Sequence, residues 1–456
     1  MNILILQGKV ITYKTTEVSD ILIVKNKIAA IGNNLKITDN TKIIDASGKY
    51  VFPGGIDPHV HLNLPTPAGP SSDNFETGTI AAIYGGTTSI IDFVTPNKNE
   101  SLISAFNKRI IDAKNSKTDY GFHMGITSWN KNTAKEIEHC VNELGITSFK
   151  TYMAYKGAIG IEENELYEVM KIASKLHVVV SVHCELGDEI LKLQKEIIAK
   201  GNITPAYHAL SRPNYVEAES VKHVVELAKK TKCIVYIVHT STKESIKIIE
   251  TAQKSGITVF SETCPQYLLL DDSVYNKPLP DSLKYVISPP IRKIADQNAL
   301  WKAIKNKTVQ FVATDHCPFN TKGQKAIGKN DFTKIPNGAG GIEHRLALLY
   351  TYGVLKNKIS INEFVAITSS NPAKVFGIYP QKGEIEVGSD ADIVIWNPKT
   401  ENVISAKTHH QNCDSNIYEG FKTKGNAETV ILNGKIVLEK NSLSLKSQKG
   451  KYLKRF

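Results

Sequence analysis

Apolar and polar positions change rhythm twice along this chain. Over the first fifty residues, short β-type runs at 3–6, 21–24 and 27–31 are separated by glycine turns at Gly8 and Gly32, which predicts a small all-β unit. The same grammar returns at 392–396 and 429–438, where Asn433-Gly434 signals a hairpin turn of the I′ kind. Two β segments of one style at opposite ends predict a single small β-sandwich domain split in sequence, residues 1–52 plus 378–440.

Between them, from 53 to 377, strand-like apolar runs alternate with segments of helical period, the pattern of parallel βα units. Eight strands are predicted, at 55–61, 87–93, 120–126, 146–152, 178–183, 233–239, 257–262 and 309–315. Helices are predicted after most of them, for example at 162–175, 215–230, 243–254 and 341–355. Eight strands with eight crossovers close into a (β/α)8 TIM-like barrel, an α/β fold. An open doubly wound sheet would carry a glycine-rich phosphate loop after its first strand, and the chain runs His61-Leu62-Asn63-Leu64-Pro65 there instead.

Composition narrows the class without changing the fold. At 456 residues, 41% hydrophobic and 22% charged, the chain reads as folded throughout, as a large domain plus a smaller one. A net charge of +11 raises the question of a nucleic-acid partner, but lysines are thinly spread. Only the tail from Lys446 to Arg455, within residues 441–456, is dense in basic residues, and it reads as a solvated or subunit-contacting end. Cys140, Cys184, Cys233, Cys264, Cys317 and Cys413 show no paired spacing, which fits a reducing, cytoplasmic compartment. Met1 to Gly8 reads as a strand rather than a signal peptide, and no run reaches the length of a membrane span.

The informative residues are polar ones at C-terminal strand ends. His59 and His61 end the first strand, Lys150 lies near the end of the fourth, His183 closes the fifth, His239 the sixth and Asp315 the eighth. In a barrel those ends form one rim, so residues distant in sequence meet in one pocket. His59 and His61, two apart on a strand, leave on the same face and can share a metal. The other histidines, His123 and His208 among them, read as packed or surface groups. An inward lysine beside metals leaves two readings open: a carbamate formed with CO₂ that bridges two ions, or a stem lining the wall with its ammonium in solvent. Asp315 can serve as ligand and as general base. Asp57 is a candidate acceptor for a ligand histidine's second N–H, and Cys184 and Cys317 read as inert thiols.

These residues, with Pro53-Gly54-Gly55-Ile56-Asp57-Pro58-His59-Val60-His61, Gly85-Gly86-Thr87-Thr88, Ser148-Phe149-Lys150 and Met153-Ala154-Tyr155-Lys156, resemble the dihydropyrimidinase and D-hydantoinase family of the amidohydrolase superfamily. Glu262-Thr263-Cys264-Pro265-Gln266-Tyr267, Ser288-Pro289-Pro290, the run from Asp331 to Gly338, and Gly388-Ser389-Asp390-Ala391-Asp392 extend the likeness over nearly the whole chain.

The resemblance implies two Zn²⁺ per subunit bridged by carboxylated Lys150, with His59, His61 and Asp315 on one and His183 and His239 on the other. It implies opening of a dihydropyrimidine or 5-substituted hydantoin to an N-carbamoyl amino acid, as in pyrimidine degradation. Tyr155 would donate to the developing oxyanion, Ser288 and Asn337 would hold the ring amide largely through main-chain groups, and Leu64, Tyr152 and Ile159 would contact the substituent. A cytoplasmic homotetramer follows from the same likeness, with no nucleic-acid or membrane partner. Asn63 and His316 are also similar to allantoinases, which act on a ureido-hydantoin, whereas dihydroorotases place an arginine at the position of Asn63. Collapsin response mediator proteins bind partners on the same fold without catalytic metal; here every ligand is present.

Overall fold

Eight parallel strands run in chain order through the middle of the protein: Gly55–Val60, Thr87–Val94, Asp119–Gly125, Ser148–Tyr152, Val179–His183, Ile234–Ile237, Val259–Thr263 and Phe311–Val312. This computed structural model describes residues 2–36, 40–445 and 448–455. Met1, Phe456 and Lys446, where the basic tail was expected to begin, lie outside the described residues. Helices such as Glu163–Lys175, Asn214–Thr231 and Lys243–Lys254 cover the strands from outside. With both faces buried, the strands read as continuous apolar runs rather than alternating ones. Among the described residues no helix is long and apolar enough to cross a membrane.

The seam between the first and eighth strands is closed mostly by side chains. One bridge pairs Val60 with His316. Buried Arg345 donates from Nη1 to Ile56 O at 2.8 Å and to Val312 O at 3.0 Å, stapling the two strands. The helix expected at 341–355 starts late, as Arg345–Leu349, and continues as a π-helical turn over Tyr350–Val354; Gly341 N–H donates to His316 Nδ1 at 3.1 Å.

The expected β-sandwich is built from one continuous nine-stranded sheet shared by the two chain ends. Tyr50–Pro53 joins them by pairing antiparallel with Ile393–Val403. Isoleucines from both ends, including Ile3, Ile21, Ile393 and Ile431, enclose one core. Asn433 and Gly434 make the expected hairpin turn, both with positive φ, at 50° and 73°.

A buried cation ties this sheet to the barrel. Lys382 Nζ reaches Asp119 and Asp392 at 2.6 Å and Asp390 at 3.1 Å, and Asn433 Nδ2 donates to Asp119 at 3.0 Å. Burial opposes its charge, but the three carboxylates raise its pKa. Replacing Lys382 with methionine strands three buried acids, so equilibrium denaturation is expected to show a loss of about 3–5 kcal/mol. A loss below about 1 kcal/mol would contradict this role.

The described end of the tail is tied to the barrel while Lys449, Lys451 and Lys454 stay exposed, so the expected solvated end describes its lysines but not Leu453 and Arg455. Leu453 N–H donates to Tyr120 O at 2.7 Å. Arg455, 1% exposed, enters the barrel base and donates to Ser148 Oγ at 3.0 Å and to Phe122 O. Spacing of charge alone could not reveal that an arginine's donors would find carbonyls inside the same chain.

Candidate metal centre

All six polar strand-end residues, His59, His61, Lys150, His183, His239 and Asp315, line one cavity of about 720 Å³. His59 Nε2 and His61 Nε2 lie 3.2 Å apart, and each is 3.2 Å from Asp315 Oδ1. Across the barrel mouth His183 Nδ1 faces His239 Nε2 at 2.9 Å. The His59 and His239 rings, 5.5 Å between centroids, join the two groups into one.

In two of the four rings a carboxylate holds the opposite nitrogen, while the outer nitrogens of His61 and His239 are buried with no partner among the described residues. His183 Nε2 is engaged by Glu185 Oε2 at 2.8 Å, and His59 Nδ1 by Glu262 Oε1. Glu185 is itself fixed by Arg212 Nη1 at 2.5 Å and Ser288 Oγ at 2.8 Å, and Glu262 by the Tyr236 hydroxyl. A carboxylate on one nitrogen sets the tautomer and leaves the other as a lone pair. Burial pushes the pKa of His59 and His239 well below the ordinary value and lowers that of His183, so these rings are held neutral, the form in which one ring nitrogen can bind a cation. Converging lone pairs at about 3 Å fit a divalent cation with nitrogen and oxygen ligands.

Asp57, expected to take a ligand histidine's second ring N–H, accepts only the main-chain N–H of His59, at 3.3 Å. It lies one pleat below and turns to the eighth-strand segment, accepting from Thr314 Oγ1 at 2.6 Å and Thr314 N at 3.2 Å. Glu262 and Glu185 do that work instead. Both carried a signal in sequence: Glu262 is the polar residue near the end of the seventh strand, and Glu185 follows His183 by two.

Lys150 is 1% exposed, so its ammonium does not reach solvent, and the reading of a snorkelling stem is overturned. Among the described residues its Nζ has no hydrogen-bonding or ion-paired partner; it lies 5.2 Å from the Phe93 ring centre and 5.1 Å from that of Tyr152. Burial pulls its pKa down to about 8, against the opposing fields of Asp315 and Glu262. A neutral amine is what reacts with CO₂, so the site favours the form a carbamate needs.

Tyr155, Ser288 and Asn337 line the same cavity, with Leu64, Tyr152 and Ile159 at its apolar side. Burial raises the Tyr155 pKa against the opposing charge of Arg212, which keeps the hydroxyl protonated. The Ser288 hydroxyl spends its one proton on Glu185, so a donor to a ligand at this residue has to come from the main chain. Asn63 and His316 are absent from the cavity lining: Asn63 N–H donates to Asp73 O at 2.7 Å, and His316 pairs with Asp73 at 3.0 Å. His123 and His208 are packed groups, His208 donating to Ile287 O at 2.7 Å. Burial raises the thiol pKa of Cys184 and Cys317, as inert cysteines require.

Three site residues hold left-handed backbone, His239 at φ 38°, Asp315 at φ 53° and Tyr155 at φ 60°. Such conformations are uncommon outside glycine and persist where the surroundings over-determine them. They also explain why the sixth and eighth strands stop short of His239 and Asp315: a positive φ takes the chain out of the ladder and turns the side chain over the rim.

A family model described as "Amidohydrolase family" matches residues 50–437. The D-hydantoinase of Geobacillus stearothermophilus is 43% identical, with 100% of this chain and 97% of that protein covered. The dihydropyrimidinase of Arabidopsis thaliana is 40% identical over 99% of this chain and 85% of its own length. The crystal structure of dihydropyrimidinase from Brevibacillus agri superposes with a TM-score of 0.98 at 44% identity, over 100% of this chain and 99% of that one.

Proposed function

The chain belongs to the amidohydrolase family, and from that premise we propose that it hydrolyses the ring amide of a dihydropyrimidine or 5-substituted hydantoin, releasing an N-carbamoyl amino acid. The observation that carries this reading is the set of bare, inward ring nitrogens with Asp315 and buried Lys150 in a cavity that also presents Tyr155, Ser288 and Asn337.

His59, His61 and Asp315 would hold one zinc ion, and His183 with His239 a second. The neutral Lys150 amine adds to CO₂, forming an N–C bond and losing a proton, and the resulting carbamate would bridge the pair. Two ions there would supply Lewis acidity at the ring carbonyl and depress the pKa of water toward neutrality. Asp315 takes the proton from the attacking water and returns it to the leaving ring nitrogen as the C–N bond breaks. Tyr155 donates its hydroxyl to the oxygen on which charge develops. Main-chain groups at Ser288 and Asn337 hold the ring –NH–CO– unit, and Leu64, Tyr152 and Ile159 meet its substituent.

Tyr155→Phe removes one preplaced donor, so steady-state kinetics are expected to show kcat down about 10²- to 10³-fold at unchanged metal content. An unchanged kcat would remove Tyr155 from the reaction. For the function itself, purified protein loaded with zinc and bicarbonate is assayed on dihydrouracil and a 5-substituted hydantoin; turnover of neither, with turnover of allantoin, would replace the reading. The six free cysteines support a reducing, cytoplasmic setting, and a homotetramer is the assembly we propose.

A further inference from the structure

We propose that Lys325 is a positioning residue that clamps the two segments carrying Ser288 and Asn337 at the separation a ring amide needs; this rests on the reading of those two residues as its contacts. Lys325 is 1% exposed, and among the described residues no carboxylate pairs with it. Its Nζ donates instead to Val286 O at 2.8 Å and Pro336 O at 3.0 Å. One carbonyl lies two residues before Ser288 and the other directly precedes Asn337. Val286 O also accepts from Gly338 N–H at 3.2 Å, so both of its lone pairs are used to join the segments. On the same turn Gln324 Nε2 donates to Pro70 O at 2.8 Å, tying in the loop that carries the cavity residue Leu64.

A buried ammonium ordinarily finds an acid, and this one has only carbonyls. Burial accordingly draws its pKa down to about 7, yet the clamp survives loss of a proton, because a neutral amine retains two N–H donors for two carbonyls. With the Ser288 O–H donated to Glu185, a donor to the ring at this segment comes from the main chain and depends on where the backbone lies. Main-chain contacts to the ring amide made alike before and during ring opening contribute uniform binding, so whatever sets the spacing of the two segments sets KM more than kcat.

The test is Lys325→Met in the full, zinc- and bicarbonate-loaded chain, read by steady-state kinetics on dihydrouracil and a 5-substituted hydantoin, with metal content and hydrogen exchange at the Gly338 amide. The expected result is a KM raised about tenfold or more, kcat within about threefold, unchanged metal and faster exchange at Gly338. A KM within about twofold of the parent in a folded, metal-replete variant overturns the proposal, even if Tm falls, since stability alone would then be its role. If the parent protein opens neither ring, the functional reading fails instead, and exchange still decides on the clamp: faster at Gly338 supports it, unchanged protection overturns it. Should the methionine variant not fold, Lys325→Gln, whose amide stops one atom short of the carbonyls, is held to the same readouts.

Discussion

Replacing Lys150 with alanine is expected to lower kcat/KM by at least about a thousandfold and to lower bound metal below half of the parent value. Metal-ion stabilisation of developing charge is worth several kcal/mol, and about 4 kcal/mol is a thousandfold in rate. The loss follows from charge balance. Without an anionic bridge, the cavity would offer the two proposed ions five side chains, of which only Asp315 is anionic. Reactivation of metal-free parent protein gives the same claim a pH signature. The neutral fraction of the Lys150 amine increases as pH rises through about 8, so at fixed dissolved CO₂ and zinc the reactivation rate should climb from pH 6 and level off above that value. Full activity in Lys150→Ala would show that a single ion suffices, and a flat reactivation profile would separate the lysine from carboxylation.

Asp315→Asn is expected to cut kcat by about 10³- to 10⁴-fold with a smaller change in KM, as measured on the parent's best substrate. The substitution keeps the size of the side chain and the left-handed turn that asparagine tolerates, but removes the proposed base and the proposed anionic ligand. Burial would raise the Asp315 pKa, but neighbouring His59 and His61 more than offset it and keep the carboxylate ionised. A variant retaining more than about a tenth of the parent kcat would move the proton transfer to another group.

The rim was legible because barrel geometry converts sequence position into place. Polar residues at the ends of apolar strands had one destination, and His59, His61, Lys150, His183, His239 and Asp315 all reach it. The histidine pairs were visible; their orientation was not, since Glu262 and Glu185 choose which ring nitrogen faces inward, and that depends on contacts between different strands. Asp57 looked the better acceptor by adjacency and lost because its carboxylate closes the seam to Thr314. Strand lengths were overestimated at His239 and Asp315, where hydrophobic pattern continues but the backbone turns left-handed. Lys325 carried no signal at all: a lysine in a polar loop reads as solvated until the fold folds it under Phe319 and two carbonyls.

The centre itself is tested most directly by diffraction at the zinc edge from protein prepared with zinc and bicarbonate. Two anomalous peaks are expected, one among His59, His61 and Asp315 and the other between His183 and His239, with continuous density from Lys150 Nζ into a carboxylate between them. An unmodified Lys150, or a single peak with His183 and His239 bare, would contradict the two-ion account.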